Sequence, residues 1–217
     1  MELDHVVLGV ADLDAAARHL RDRFGLIAAA GGRHPGWGTA NRVVPLGDSY
    51  VELVTVVDPV EAAGSPFGRW VASMLAGGPA VGWAVRTDDI AAVAARLGLQ
   101  VADGSRTTTA GARLSWQIAG IERAAQEPGL PFFIEWGPAT PPPGRAGAGH
   151  DAGDVRLGRL VVRIDEDRLR GWLGGDLDRV VAVTGPSPGY VDQVRLTTSV
   201  DHGQIALVDQ GKGAVRP

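Results

Sequence analysis

Two glutamates and a histidine sit where acidic and basic side chains are unwelcome unless they have work to do. His5 interrupts the apolar run Leu3 to Val10, Glu52 lies in Tyr50-Val51-Glu52-Leu53-Val54, and Glu135 lies in Phe132-Phe133-Ile134-Glu135-Trp136. Carboxylates in such strand-forming segments are costly to bury unless they are paired or bind a cation. An imidazole there is either a satisfied core group or a ligand facing a cavity. One His and two Glu suit a hard or borderline divalent ion with open coordination positions (Zn, Ni, Mn or Fe). The spacing alone leaves both this metal site and a purely structural pairing open.

A second set of residues suits substrate handling. His34 is flanked by Gly32, Pro35, Gly36 and Gly38, a tight loop entering a strand where backbone must approach something closely. It reads as a turn histidine or as a general acid/base at a cavity mouth. His34 and Glu135 are the expected proton-transfer residues, and Asn41 is placed to fix a carbonyl. Arg86 shares a strand face with Gly82 and Ala84, so alternation aims it inward, either to hold an anionic substrate group or to form a rim salt bridge. Arg106, in Gly104-Ser105-Arg106, is a weaker version of the same argument. Trp116 and Trp136, with Trp37 and Trp83, are expected as core or cavity wall, the first two as substrate contacts. His150 and His202 read as solvated.

The elements that must position these residues recur along the chain. Leu3–Val10 reads as a strand. Leu13, Ala16, Ala17, Leu20 and Phe24 follow at helical spacing behind a cap at Asp12 or Asp14, and Gly25 ends the helix. Strands are expected at Arg42–Leu46 and Tyr50–Val56. Ile90, Val93, Ala94 and Leu97 stand at the same offset from Leu13, Ala16, Ala17 and Leu20, behind a strand at Gly82–Thr87. Further strands are expected at Leu114–Ile118 and Pro131–Trp136. The reading is a duplicated βαβββ module, residues 1–77 and 78–137, with Glu52 and Glu135 in equivalent last strands. Residues 138–154, rich in Pro and Gly, read as a linker. A third, degenerate βαβββ-like module follows at 155–210, with strands at Leu157–Ile164, Arg179–Val183, Val191–Thr197 and Gln204–Val208 around a helix ending at Leu173. This third unit is expected to pack on the first two or to pair with another copy of the chain, as a homodimer.

Leu3-Asp4-His5-Val6-Val7-Leu8 with Asp12-Leu13-Asp14-Ala15-Ala16 and Tyr50-Val51-Glu52-Leu53 resembles the vicinal oxygen chelate superfamily of glyoxalase I, bleomycin-resistance proteins and extradiol dioxygenases. His34-Pro35-Gly36-Trp37-Gly38-Thr39-Ala40-Asn41, Gly104-Ser105-Arg106 and Phe132-Phe133-Ile134-Glu135-Trp136 resemble, more narrowly, bacterial glyoxalase-like domain proteins. The resemblance implies an α+β fold in which paired βαβββ modules form a curled mixed sheet around a cavity. It also implies metal ligands from the first and last strand of each module: His5, Glu52 and Glu135, with Gly82 at the fourth position, where no side chain can donate; the site then has three protein ligands, or His34 completes it, or no metal binds. The implied function is a metalloenzyme acting on a small oxygen-rich substrate by Lewis-acid and proton-transfer chemistry. The alternative is a metal-free protein that sequesters a small ligand.

Composition removes other classes. The 21 Lys and Arg are outnumbered by 25 Asp and Glu, for a net charge of −4, which argues against a nucleic-acid partner. No window approaches the ~20 consecutive apolar residues of a membrane span, and the N-terminus lacks the basic and apolar regions of a secretory signal. A cytoplasmic protein with a small-molecule ligand is the expectation.

Overall fold

In the computed structural model, residues 1–78, 80–108, 111–138, 140–147, 149–185, 189–200 and 203–209 are described. Strand β1 (Glu2–Gly9) leads to α1 (Leu13–Phe24), whose first N–H groups, those of Asp14 and Ala15, donate to the side chain of Asp12. Strands β2 (Ala29–His34), β3 (Thr39–Pro45) and β4 (Tyr50–Val56) complete the first module. Two helices that hydrophobic spacing did not anticipate follow, α2 (Pro59–Gly64) and α3 (Pro66–Leu75). Their signal was present in Asp58-Pro59 and Ser65-Pro66, a side-chain cap followed by proline in the first helical turn.

The second module comprises β5 (Val81–Arg86), α4 (Ile90–Leu97), β6 (Val101–Thr107), β7 (Arg113–Ala119), the short α5 (Ile121–Gln126) and β8 (Phe132–Trp136). The eight strands form one mixed sheet in the order β2-β3-β4-β1-β5-β8-β7-β6. It curls until its two edge strands, β2 and β6, lie against each other, leaving an inner face and an outer face. The offset that relates Leu13 to Ile90 also relates Val6 to Trp83, and these two residues stand opposite each other in the antiparallel β1–β5 pair. A pseudo-twofold axis therefore passes between them, and it equates His5 with Gly82.

The third unit has the expected element order: β9 (Val155–Arg163), α6 (Glu166–Leu173), β10 (Val180–Val183), β11 (Tyr190–Thr198) and β12 (Gln204–Asp209). Its sheet runs β10-β9-β11-β12, so its first strand lies between the second and third, whereas in the paired modules it joins the fourth. It packs on the first two modules. Leu157, Leu160 and Trp172 share one core with Val6, Trp83 and Phe133 of the outer face. The Trp172 indole N–H donates to the Pro131 carbonyl at 2.9 Å, and Arg96 donates to the carbonyls of Gly171 and Trp172.

The segment expected as a linker is docked. A 3₁₀ turn at Pro143–Arg145 is buried at Pro143 and Gly144, and the Gly47 N–H donates to the Gly144 carbonyl at 3.0 Å. His150, expected to be solvated, is half-buried: its Nδ1 accepts from the Ile27 N–H at 2.9 Å and its Nε2 donates to the Pro45 carbonyl at 2.7 Å. Local chain polarity did not disclose these distant partners. His202 lies outside the described residues. Among the described residues no helix is long and apolar enough to cross a membrane.

Candidate functional site

Alternation along the curled strands sends one set of side chains to the interior. His5 from β1, His34 from β2, Asn41 from β3, Tyr50 and Glu52 from β4, Arg106 from β6, Trp116 from β7, and Phe132 and Trp136 from β8 line one cavity of about 20 Å³. That is little more than the ~10–15 Å³ that one water needs, so a larger group must displace part of the wall. Trp37, Phe67 of α3 and Pro143 of the docked segment complete its wall.

His5 is the most constrained member. Between Leu3 and His5 the β1–β5 register slips by one residue, and this bulge carries the Asp4 side chain into the protein instead of outward. Asp4, 1% exposed, accepts from His5 Nδ1 at 2.8 Å, from the Trp136 indole at 3.2 Å and from Arg86 at 3.3 Å. A carboxylate can only accept, so Nδ1 carries a proton and Nε2 is the free atom of the neutral ring. Tyr50 stacks on the ring with centroids 4.4 Å apart. Burial, helped by the charges of Asp4 and Glu52, raises the Tyr50 phenol well above its ordinary range, so it stays neutral.

His5 Nε2 stands 3.8 Å from one oxygen of Glu52. The other oxygen accepts from the Asn41 amide at 2.6 Å, and Asn41 is oriented in turn by the Gly32 N–H, which donates to its carbonyl oxygen at 3.1 Å. His34 Nε2 lies 3.9 Å from the same Glu52 oxygen, and its Nδ1 contacts the Thr39 hydroxyl at 2.8 Å. Burial pulls the His34 imidazole down to about 4; Glu52 opposes that shift and Arg106 adds to it.

The residues expected from the sequence divide accordingly. His5, His34, Glu52, Asn41, Arg106, Trp116 and Trp136 are brought together. Glu135 is not. The β5–β8 pair sets Ala84 opposite Phe132, as β1–β4 sets Val7 opposite Glu52, so the counterpart of Glu52 is Phe132. Glu135 points to the other face and accepts from the Ile90 N–H at 2.7 Å, at the start of α4. Arg86 forms the rim salt bridge, with Glu2 and Asp4, and reaches the chamber only through Asp4. Asp4 and Tyr50 were missed. The signal for Asp4 was a second polar residue in an apolar strand, beside a histidine.

The donor set fits a divalent ion poorly. With Glu135 elsewhere, the positions related to His5 and Glu52 by the pseudo-twofold axis are Gly82 and Phe132. A Cβ placed on Gly82 would stand 2.3 Å from the Trp70 indole, so that ring fills the space a ligand side chain would need. Among the described residues no three His, Asp or Glu side chains are grouped to hold an ion. The Arg106 cation shares the chamber as well.

A family model for a glyoxalase-like domain matches residues 3–175. Among solved structures, a hypothetical protein from Staphylococcus aureus is similar at 16% identity and a TM-score of 0.61, over 94% of this chain and 84% of that one. Methylmalonyl-CoA epimerase from Mycobacterium tuberculosis aligns at 23% identity and a TM-score of 0.43, over 64% of this chain and 88% of that one. No curated protein matches the chain. At these identities the structural likeness speaks to the fold.

Proposed function

The chain belongs to the glyoxalase-like domain family, and from that premise we propose an enzyme that moves a proton at carbon in a small oxygen-rich substrate, with His5 as general base. The observation that carries this reading is the 2.8 Å Asp4–His5 contact, which fixes the tautomer and leaves Nε2 as an acceptor facing the chamber. The carboxylates of Asp4 and Glu52 lie on either side of the ring that takes the proton, and Arg86 meets Asp4 from the rim. This is the positioning logic of a histidine backed by a buried carboxylate.

In the step, a C–H bond next to a carbonyl breaks and its proton passes to His5 Nε2. The bond's electron pair becomes the C=C of an enolate, whose oxygen takes the charge. Arg106 supplies the positive field that a developing oxyanion requires. Return of the proton to carbon completes an exchange, or an inversion if it arrives on the opposite face. Asn41 holds Glu52 in place, and His34, fixed by the Thr39 hydroxyl, lines the chamber beside it.

The test is solvent-deuterium incorporation, followed by NMR, across small 2-oxo and 2-hydroxy carbonyl compounds. His5→Ala is expected to lower the rate by ~10²–10⁴. Asp4→Asn is expected to lower it and to displace the pH–rate profile, which a merely structural role would not do. Chelator dialysis is expected to leave the rate unchanged. Absence of exchange with every compound would overturn the proposal, and a rate that disappears with chelator and returns with a divalent ion would favour the metalloenzyme. Tight ligand binding without turnover would favour sequestration.

A further inference from the structure

Arg106 is 7% exposed and lines the chamber from β6, yet no hydrogen bond or ion pair holds its guanidinium among the described residues. The neighbouring charged groups have hydrogen-bond partners: half-buried Arg86 meets Asp4 and Glu2, and Glu52 accepts from Asn41. Glu52 supplies the nearest opposing charge, but a guanidinium whose N–H groups meet no acceptor is costly to bury, so Arg106 has donors to spare for a group in the chamber. Across the chamber, His5 Nε2 and the facing Glu52 oxygen are both acceptors, 3.8 Å apart, and call for a hydrogen-bearing group between them.

Resting on the proton-transfer reading above, we infer that Arg106 recognises the carboxylate of a compact 2-oxo or 2-hydroxy monocarboxylic acid. Its reacting carbon or hydroxyl then faces His5 and Glu52. A planar carboxylate matches the guanidinium fork in two parallel hydrogen bonds. A phosphate dianion fits less well, because a single arginine leaves it half-neutralised beside the Glu52 carboxylate. The cavity of about 20 Å³ has room for little more than one water as it stands, so even a small acid must displace part of the wall and a bulky one is disfavoured. Its aromatic wall offers no second charge, so a dicarboxylate would bury an unpaired anion.

The experiment is titration calorimetry with pyruvate and lactate and with their neutral amides, supported by the fluorescence of the chamber tryptophans. The wild-type protein is expected to bind the acids more tightly than the amides. Arg106→Met should weaken the acids roughly 10- to 100-fold, the range for a lost charged hydrogen bond, and leave the amides unchanged. Arg106→Lys, which keeps the charge without the fork, should fall between. Equal affinity for acid and amide, or unaltered acid binding by Arg106→Met, would overturn the inference. If Arg106→Met does not fold, the acid–amide comparison and Arg106→Lys decide it. His5→Ala should retain acid binding while losing deuterium exchange. Acid binding through Arg106 in a wild-type protein that exchanges nothing would leave this inference standing and remove only the proton-transfer reading.

Discussion

At the scale of single residues, the chamber stores free energy in a neutral histidine. His34 is fully enclosed, and its imidazole is held down to about 4 by burial against an unfolded value of 6.5. Between those values the unfolded chain binds a proton that the folded chain refuses. Stability is therefore complete above pH 6.5 and is lost as pH falls toward 4, by up to roughly 3 kcal/mol. His34→Gln, which can still meet the Thr39 hydroxyl, should flatten the dependence of the denaturation midpoint on pH across that window. A variant that loses stability as steeply as the wild type would assign the effect to another group. Glu52 shows the complementary economy: its two oxygens look to different partners, Asn41 on one side and His5 on the other. The Asn41 contact fixes its orientation and leaves the second oxygen for chemistry.

At the scale of elements, strand register decides which charged side chains meet. Glu135 was expected to work beside Glu52 because both occupy last strands, yet β8 presents Phe132, Ile134 and Trp136 inward and Glu135 outward. Glu135→Gln should therefore leave ligand binding and proton transfer unaltered. It should cost about 1 kcal/mol of stability in chemical denaturation, the scale of one hydrogen bond at a helix start. Loss of function without loss of stability would return Glu135 to the site. The duplicated βαβββ plan, the helix that Asp12 caps and the inward positions of His5 and Glu52 were legible because two- and 3.6-residue periods are local properties. What was not legible depended on partners distant in sequence. The bulge at Asp4 is defined only against β5. Strand β6, Val-Ala-Asp-Gly-Ser-Arg-Thr, has few strand-forming side chains and is held as a strand by pairing along its length with β7. Glu52 and Glu135 share a strand type and an apolar context, so the difference of face needed the register itself.

At the scale of the whole molecule, the third unit covers the outer face of the paired modules and completes their core. Trp172, 3% exposed, packs on Phe133 with ring centroids 5.6 Å apart. Trp172→Ala should cost about 3–5 kcal/mol, seen as a lower midpoint in denaturant, and the chamber should weaken with it because Phe133 shares β8 with three wall residues. The segment that ties this unit to the others touches the chamber at Pro143, with Gly144 against the turn between β3 and β4. That path turns a covalent connection into a door. Pro143 forms part of the wall, so a ligand that displaces the strap should associate at a rate limited by that movement. The observed rate should then level off as ligand concentration rises, at apparent on-rates below the usual ~10⁵–10⁷ M⁻¹s⁻¹. A Cβ on Gly144 would lie 2.2 Å from the Ser49 carbonyl, so Gly144→Ala should hold the strap off its seat. In stopped-flow fluorescence that variant is expected to take up and release ligand faster than the wild type, with the ceiling on the rate raised or gone.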